Sequence, residues 1–215
     1  MKHVKTRPIS MLVAALALAT ISGEPALAAP SYTATASPAH GGRSSAGTLP
    51  IGIVRASVRS LGRYLSGVDA GDTTAIRSFV EAKLAPHFDF PYMARWAAGP
   101  FYGRLTGRSR RALAEKIELM FVQALTRNLG VYSTPPPRVQ VFPAVSRGPR
   151  GERVVRARVL PRAGYPILLS FRFYRSSGGA WRVFDVQANG FSALAYYRRY
   201  FAALVRRAGP GALSD

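Results

Sequence analysis

The spacing of hydrophobic residues predicts helices in the part of the chain that begins at residue 50. Apolar side chains recur there every three or four positions, which is the period of one helix face. The first run predicts a helix over about residues 50–67, and its apolar positions are Ile51, Val54, Val58, Leu61 and Leu65. Asp72 is suited to cap a second helix, whose apolar positions Ile76, Phe79, Val80 and Leu84 run to Pro86.

The longest helix is predicted between residues 106 and 130. Thr106 or Ser109 offers an N-cap, and Gly130 follows the last turn as a stop. One apolar stripe runs between these ends and consists of Leu113, Ile117, Met120, Phe121, Ala124 and Leu125. The prolines at residues 135–137 then break the chain, because proline cannot continue a helix.

Beyond the prolines the hydrophobic period shortens to two, which predicts strands. Val139 and Val141 alternate with polar residues, and so do Val155, Ala157 and Val159. A third strand has one apolar face formed by Ile167, Leu169, Phe171 and Phe173. A turn at residues 176–179 leads into a fourth strand over residues 181–188, so antiparallel hairpins are expected.

A closing helix is predicted to begin at Ser192, to carry Arg206 and Arg207 in its last turn, and to end before Gly209-Pro210. Helices, then a sheet of about four strands, then a C-terminal helix define an α+β fold. We therefore expect a single domain over residues 50–209 and a short tail over residues 210–215.

The N-terminal residues have the pattern of a secretory signal peptide. Three cations precede an apolar run over residues 9–21, and the small-residue site Ala26-Leu27-Ala28 follows. The run is shorter than the roughly 20 residues that a membrane-spanning helix needs. We expect cleavage near Ala28, export of the mature chain to the periplasm, and a flexible leader rich in Ala, Ser and Gly over residues 29–49.

The chain of 215 residues is strongly basic, with 30 Lys and Arg against 10 Asp and Glu and a net charge of +20. Such a charge is typical of nucleic-acid binding, and Arg198 and Arg199 lie among aromatic residues. The export signal argues against a nucleic-acid partner. It favours plain surface charge or transient contact with an anionic membrane surface. The absence of cysteine excludes disulfides, thiolate metal ligands and thiol nucleophiles.

Few residues could carry catalysis. His87 is the only histidine of the predicted domain, and Asp89 could orient it as a base. Because no nucleophile or second acid lies nearby in sequence, Asp89 is interpreted as the N-cap of the following segment. Asp185 lies in an apolar run, where a carboxylate needs an Arg or backbone partner. We therefore predict structural roles for these three residues and no catalytic residue, metal or cofactor.

Aromatic residues are concentrated in two stretches, residues 88–102 and 171–191. Core packing explains such a density, and an apolar ligand cavity explains it as well. Periodicity alone favours neither explanation.

The segment from Pro86 to Gly99 reads PHFDFPYMARWAAG. It resembles the PHFDFxxMARxxxG segment of the MlaC family, periplasmic phospholipid-binding proteins once called toluene-tolerance proteins. Three further features are similar in order and spacing: the long helix after Thr106, the Trp181–Val186 strand, and the helix that starts at Gly190-Phe191-Ser192 and contains Tyr197-Arg198. The resemblance covers about residues 50–208, and the hopanoid-associated branch of the family is similar at this level.

The resemblance implies an α+β fold in which a curved sheet and helices enclose an apolar pocket for acyl chains. It also implies a carrier that shuttles phospholipid between an inner-membrane ABC transporter complex and an outer-membrane lipoprotein. The pocket residues that it suggests lie on the apolar faces of the matching segments: Phe88, Met93, Trp96, Phe121, Leu125, Leu169, Phe171, Phe173 and Phe184. Two alternatives stay open. One is a small-molecule enzyme that uses His87, Asp89 or Asp185, and the other is a cationic envelope protein that binds polyanions.

Overall fold

The computed structural model describes residues 49–67, 72–129, 136–147, 151–161 and 164–213. The predicted signal peptide, almost all of the predicted leader and the Gly130 stop lie outside these ranges. The described chain contains the α-helices α1 (Pro50–Leu65), α2 (Thr73–Phe79), α3 (Phe90–Ala98), α4 (Gly107–Leu129) and α5 (Ala193–Ala208). Within these ranges no helix is long and apolar enough to cross a membrane.

Three helices begin at the side-chain caps that the sequence predicts. Asp72 Oδ1 accepts the Ala75 N–H at 2.8 Å, Thr106 Oγ1 accepts the Ser109 N–H at 3.1 Å, and Ser192 Oγ accepts the Ala195 N–H at 3.0 Å. Each cap satisfies a backbone donor that has no partner inside its helix. The predicted starts of α2, α4 and α5 are therefore confirmed.

The second predicted helix differs from the prediction, because it does not continue as one α-helix to Pro86. The α-helical part α2 ends at Phe79, a wider turn follows at Val80–Leu84, and a tighter turn follows at Ala85–His87. Proline lacks the N–H that an α-helix needs and its ring crowds the preceding turn, so the helix changes its winding before Pro86. This change brings Phe88 and Asp89 alongside the sheet.

In the part of the chain that the structure describes, the sheet has six antiparallel strands, where the sequence predicts about four. They are β1 (Arg138–Val141), β2 (Val145–Arg147), β3 (Glu152–Leu160), β4 (Ile167–Arg175), β5 (Trp181–Ala188) and β6 (Phe191–Ser192). Their order is β1-β3-β4-β5-β6, and β2 pairs with β3 beside β1. The two unpredicted strands, β2 and β6, are too short to show a period of two. β6 nevertheless follows Asn189-Gly190, whose φ angles of 47° and 88° match the two-residue hairpin turn that this pair favours.

A bulge in β5 decides which side chains face each side of the sheet. Arg172 pairs with Asp185 and Phe173 pairs with Val183, so Phe184 is an extra residue with no partner of its own. Such a bulge places its two residues on the same side of the strand. Val183, Val186 and Ala188 therefore share one face, while Phe184 and Asp185 lie on the other.

Helices pack against both faces of the sheet. Val54 of α1 clusters with Val155, Phe173 and Val183 on one face. On the opposite face Phe184 contacts Tyr92 of α3, with ring centroids 5.5 Å apart. The larger hydrophobic core continues from Phe184 into α2, α3, α4 and α5.

The described structure continues beyond residue 209, where the sequence predicts the end of the domain. Pro210–Leu213 form a tight helical turn that packs against α4 and α5. Leu213 is 1% exposed and belongs to the larger core, because the turn after Gly209 directs it back toward α5. This part of the predicted tail thus contributes to packing.

Candidate functional site

A partly enclosed cavity lies between α1, the end of α4 and one face of the sheet, with a volume of about 680 Å³. Small-molecule sites commonly occupy about 300–1,000 Å³, so this volume suits a ligand. The helices contribute the apolar residues Ile53, Val54, Val58, Leu61, Leu65, Phe121, Leu125 and Leu129. The sheet contributes Val139, Ala157, Val159, Leu169, Phe171, Phe173, Val183, Val186 and Ala188.

The strand register explains why the sheet side of the cavity is apolar. Ala157 pairs with Leu169, and Leu169 pairs with Ala188, so the three form one row across β3, β4 and β5. Cross-strand partners share a face, and the period of two repeats this face along each strand. The alternate positions Arg156 and Arg158 point the other way and are exposed.

Phe88 and Phe121 form the cavity wall near α3, with ring centroids 4.3 Å apart. Phe88 is held there by its bridge to Val183, and the next residue, Asp89, donates its N–H to the Val183 carbonyl at 2.9 Å. The segment before α3 is thus fixed to the edge of β5. This part of the cavity wall is therefore held in place by β5 and not by α1.

Among the described residues, few polar side chains line the cavity: Ser57, Arg63, Ser66, His87 and Asn128. Burial, and then the nearby charge of Arg182, lower the pKa of the half-buried His87. His87 is therefore uncharged at neutral pH and adds no cation to the wall. The wall as a whole can shield hydrocarbon from water, and a gain of about 0.8 kcal/mol is expected for each CH₂ group that it buries.

Six of the nine predicted pocket residues line this cavity: Phe88, Phe121, Leu125, Leu169, Phe171 and Phe173. Met93 and Phe184 do not, since both are 1% exposed inside the larger core. Met93 lies on the core-facing side of α3, and the bulge in β5 holds Phe184 on the face away from the cavity. Trp96 is 40% exposed and lies on the outer surface, so these three placements correct the sequence-based prediction.

The depression beside Trp96 combines aromatic and cationic side chains. It is lined by Tyr92, Arg95, Trp96, Tyr102, Arg110 and Arg198, among others. The Arg110 guanidinium carbon lies 4.9 Å from the centre of the Tyr102 ring, and its Nε donates to the Tyr102 carbonyl at 3.2 Å. Arg110 is thus held against the Gly99–Arg104 turn.

The residues of α1 that line the cavity were missed as site residues. Their apolar stripe was recognised in the sequence, but a helix stripe that faces a ligand has the same period as one that faces a core. Val183, Val186 and Ala188 were missed for a different reason. Val186 and Ala188 share a face by alternation, but Val183 joins that face only because of the bulge in β5, which strict alternation does not predict.

Asp185 has the type of partners that the sequence analysis expected. It is 0% exposed, and both carboxylate oxygens accept the Ser192 hydroxyl at 2.9 Å. Oδ1 also accepts the Leu194 N–H at 3.0 Å, and Arg172 lies 3.5 Å from Oδ2. Because Ser192 caps α5, this carboxylate fixes the start of the helix to the sheet.

Asp89 is engaged in a similar way. Its Oδ1 accepts the Tyr92 N–H at 2.8 Å and caps α3, as predicted, and its Oδ2 accepts the Tyr174 hydroxyl. Burial, followed by the bond to Asp89, raises the pKa of Tyr174. Each oxygen of Asp89 therefore bonds to a group other than His87. In the described ranges no three His, Asp or Glu residues come together as metal ligands.

The fold and the cavity together define a class: an α+β protein that encloses an apolar, ligand-sized space between helices and one sheet face. A family model, described as MlaC protein, matches residues 61–215. The chain therefore belongs to the MlaC family.

Comparison with solved structures gives the same fold. The phospholipid-binding protein from Ralstonia solanacearum, solved in complex with a phospholipid, superposes with a TM-score of 0.66 at 22% sequence identity. The match covers 75% of this chain and 90% of that one. No curated protein matches this chain.

Proposed function

We propose that this protein is a periplasmic carrier that holds the acyl chains of a phospholipid, or of a related lipid, in the cavity between α1, α4 and the sheet. The observation that carries the proposal is the 680 Å³ cavity with its apolar lining. Membership of the MlaC family and the phospholipid-bound structural neighbour support it.

The energetics of the cavity suit a carrier. Burying half of a 16-carbon chain contributes roughly 6 kcal/mol at about 0.8 kcal/mol per CH₂ group. This gain needs only an apolar wall, so it applies to acyl chains of different lengths. The few polar residues of the wall, Arg63 and Asn128 among them, are available to the polar end of the lipid.

The proposed carrier performs no catalysis. Asp89 and Asp185 are engaged by caps, hydroxyl groups and Arg172, which favours structural roles for both carboxylates. Within the described part of the cavity wall, His87 is the one titratable group with a shifted pKa, and its carboxylate neighbour in sequence bonds elsewhere.

The cellular role follows from the family resemblance and the N-terminal pattern. We expect a mature chain that begins near Ala29 and lipid exchange with an inner-membrane ABC transporter complex and an outer-membrane lipoprotein. Cleavage after Ala28 removes three cations and Glu24, so the mature chain has 27 Lys and Arg against 9 Asp and Glu, a net charge of +18. This charge favours transient contact with anionic membrane surfaces during the exchange. Nucleic acid is not part of the proposed role.

Lipid extraction from the purified mature protein, followed by mass spectrometry, tests the proposal. Leu169 lines the cavity and Leu119 is 45% exposed on α4, outside the cavity lining, so Leu169→Glu and Leu119→Glu form a matched pair with the same charge change. We expect co-purified phospholipid in the wild type and in Leu119→Glu, and little in Leu169→Glu. A charged group in the cavity loses its hydration and opposes hydrocarbon, whereas one on the exposed face does not.

A second variant separates loss of lipid from loss of folding. Ala157→Phe places a ring beside Leu169, in space that the wild type leaves open. We expect it to keep its melting temperature and to bind less lipid. Absence of lipid from the wild type, or equal lipid in all four proteins, would contradict the carrier proposal. Salt-sensitive binding of DNA by a lipid-free wild type would favour the polyanion-binding alternative.

A further inference from the structure

The three most exposed large hydrophobic residues of the described chain lie at one end of the sheet. Tyr165 is 86% exposed, Phe191 is 61% exposed and Leu168 is 52% exposed. Tyr165 lies two residues before β4, Leu168 is in β4, and Phe191 begins β6. We refer to these three residues as the apolar rim.

Backbone pairing brings the members of the apolar rim to the same end. The Leu168 N–H donates to Asn189 Oδ1 and the Asn189 N–H donates to the Leu168 carbonyl, both at 2.8 Å. The Asn189-Gly190 turn then leads to Phe191, which pairs with Ala188. In antiparallel strands the start of β4, the end of β5 and the start of β6 coincide, about 5 Å apart from strand to strand.

Phe191 of the apolar rim continues the lining of the cavity, whereas Leu168 faces the opposite side of the sheet. Ala157, Leu169 and Ala188 form a row on the cavity face, and Phe191 is the next member of this row because it pairs with Ala188. Phe191 itself lies beyond the cavity lining and is exposed. An apolar path therefore leads along the sheet from the cavity to the surface at Phe191.

The charge around the apolar rim is positive. Arg158 pairs with Leu168, and Arg138 pairs with Leu160 at the same end; both arginines are exposed. Between residues 136 and 213 the carboxylates of the sequence are Glu152 and Asp185, and both contact Arg172. Within the described residues, no carboxylate comes within 4.0 Å of Arg138 or Arg158.

We propose that the apolar rim docks on the anionic surface of a lipid bilayer, and that Phe191 marks the route by which an acyl chain enters the cavity. This inference rests on the proposed carrier function. Tyr and Phe favour the interfacial layer of a membrane, and arginines beside them attract anionic head groups. A bilayer fits better than a protein partner, since the exposed side chains belong to separate strand ends and are flanked by Arg138 and Arg158, which have no carboxylate partner among the described residues.

Flotation with lipid vesicles tests this docking. The mature wild type is incubated with phosphatidylcholine vesicles that contain or lack phosphatidylglycerol, and the bound fraction is measured. The variants are Phe191→Glu, Leu168→Glu and the uncharged Phe191→Ser. Leu119→Glu is the matched control, because Leu119 is 45% exposed on α4. It lies about 200° around the helix axis from the cavity residue Phe121, and so faces away from the cavity.

We expect the wild type and Leu119→Glu to bind vesicles that contain phosphatidylglycerol. Phe191→Glu and Leu168→Glu should lower the partition coefficient about tenfold or more, and Phe191→Ser should lower it less, because it removes apolar surface without adding a negative charge. Equal binding by all variants, or equal loss in Leu119→Glu, would overturn the proposal.

Two further measurements on the same samples distinguish the other outcomes. Size-exclusion chromatography detects self-association, and a wild-type dimer that Phe191→Glu separates into monomers, without vesicle binding, would assign the apolar rim to a second copy and overturn the proposal. Lipid extraction tests the carrier function separately. A lipid-loaded wild type that does not bind vesicles refutes docking and leaves the carrier intact, whereas a lipid-free wild type that binds through Phe191 supports docking and refutes the carrier.

Discussion

Phe173 and Phe184 are both almost fully buried on neighbouring strands, yet they lie on opposite faces of the sheet and have different surroundings. Phe184 is enclosed by the rings of Tyr92 and Tyr174, and the Arg172 guanidinium carbon lies 4.7 Å from its ring centre. Phe173 borders the cavity. Burial alone therefore does not distinguish a core residue from a cavity wall; the difference lies in what fills the space in front of the side chain.

The same contrast applies to the polar groups of the two faces. The face away from the cavity contains Asp185 with its hydroxyl, backbone and arginine partners, and Tyr174 with its bond to Asp89. The cavity face of β4 and β5 contains apolar residues over the same length. One face thus fixes α3 and α5 to the sheet by specific bonds, and the other keeps an open space that any hydrocarbon can fill.

The largest expected effect compares the two phenylalanines directly. Phe184→Ala should destabilise the protein by about 3–5 kcal/mol, because the enclosed ring leaves a new void. Phe173→Ala should cost at least about 1 kcal/mol less, since its ring already borders open space, and should change lipid content instead. Denaturant unfolding of both variants measures the difference. Equal costs would show that the cavity is closed and packed in solution.

The second prediction concerns the two carboxylates that Arg172 contacts. Asp185→Asn should lower the free energy of unfolding by about 2–3 kcal/mol, because it removes a charge bonded to Ser192, Leu194 and Arg172. Glu152→Gln is the control and should cost about 1 kcal/mol. Glu152 is 17% exposed, and of the three partners of Asp185 it contacts only Arg172. Lipid content should be unchanged in both. A larger loss in Glu152→Gln would contradict the assignment of Asp185 as the anchor of α5.

The third prediction concerns Asp89. Asp89→Ala should cost about 1–2 kcal/mol, because α3 loses its cap and Tyr174 loses its acceptor. Comparison with Tyr174→Phe and the double variant in a mutant cycle isolates the bond between the two side chains. A screen for hydrolase and isomerase activity should show none that depends on Asp89 or His87. An activity that vanished in Asp89→Asn at unchanged stability would support the enzyme alternative.

The smallest predicted effect is a pH dependence from His87. Because burial and Arg182 lower the pKa of His87, the unfolded chain takes up a proton near pH 6.5 that the folded protein does not bind. Wild-type stability should therefore fall, relative to His87→Gln, as the pH drops below about 6.5. Thermal unfolding at pH 7.5 and pH 5.0 checks the sign. A relative gain of wild-type stability at low pH would mean that His87 is charged in the folded state.

Much of the fold was predictable, because local signals and tertiary contacts agree. The stripes of α1 and α4, the caps at Asp72, Thr106 and Ser192, and the alternation in β3 and β4 all correspond to observed elements. The two-residue strand β6 lacks any periodic signal, but the Asn189-Gly190 pair before it was available as a hairpin signal.

The site was predictable only in part, because its limits depend on tertiary structure. The faces of β4 are set by strict alternation, which placed Leu169, Phe171 and Phe173 together on the side that borders the cavity. Phe184 was predicted in the pocket but lies on the opposite face. The bulge that places it there is visible only once β5 is paired with β4. Met93 and Trp96 belong to a recognised motif, but the motif marks residues that build the fold as well as residues near a ligand.

The central claim is that acyl chains occupy the cavity face and not the packed face. A phospholipid with a photoreactive diazirine at the end of one acyl chain, exchanged into the purified protein and irradiated, tests it by mass spectrometry of the labelled peptides. We expect labels on cavity residues such as Phe88, Phe121, Leu169 and Phe171, and none on Met93, Tyr92 or Phe184. Labels confined to the Trp96 depression or to the packed core, with the cavity residues unmodified, would contradict the account.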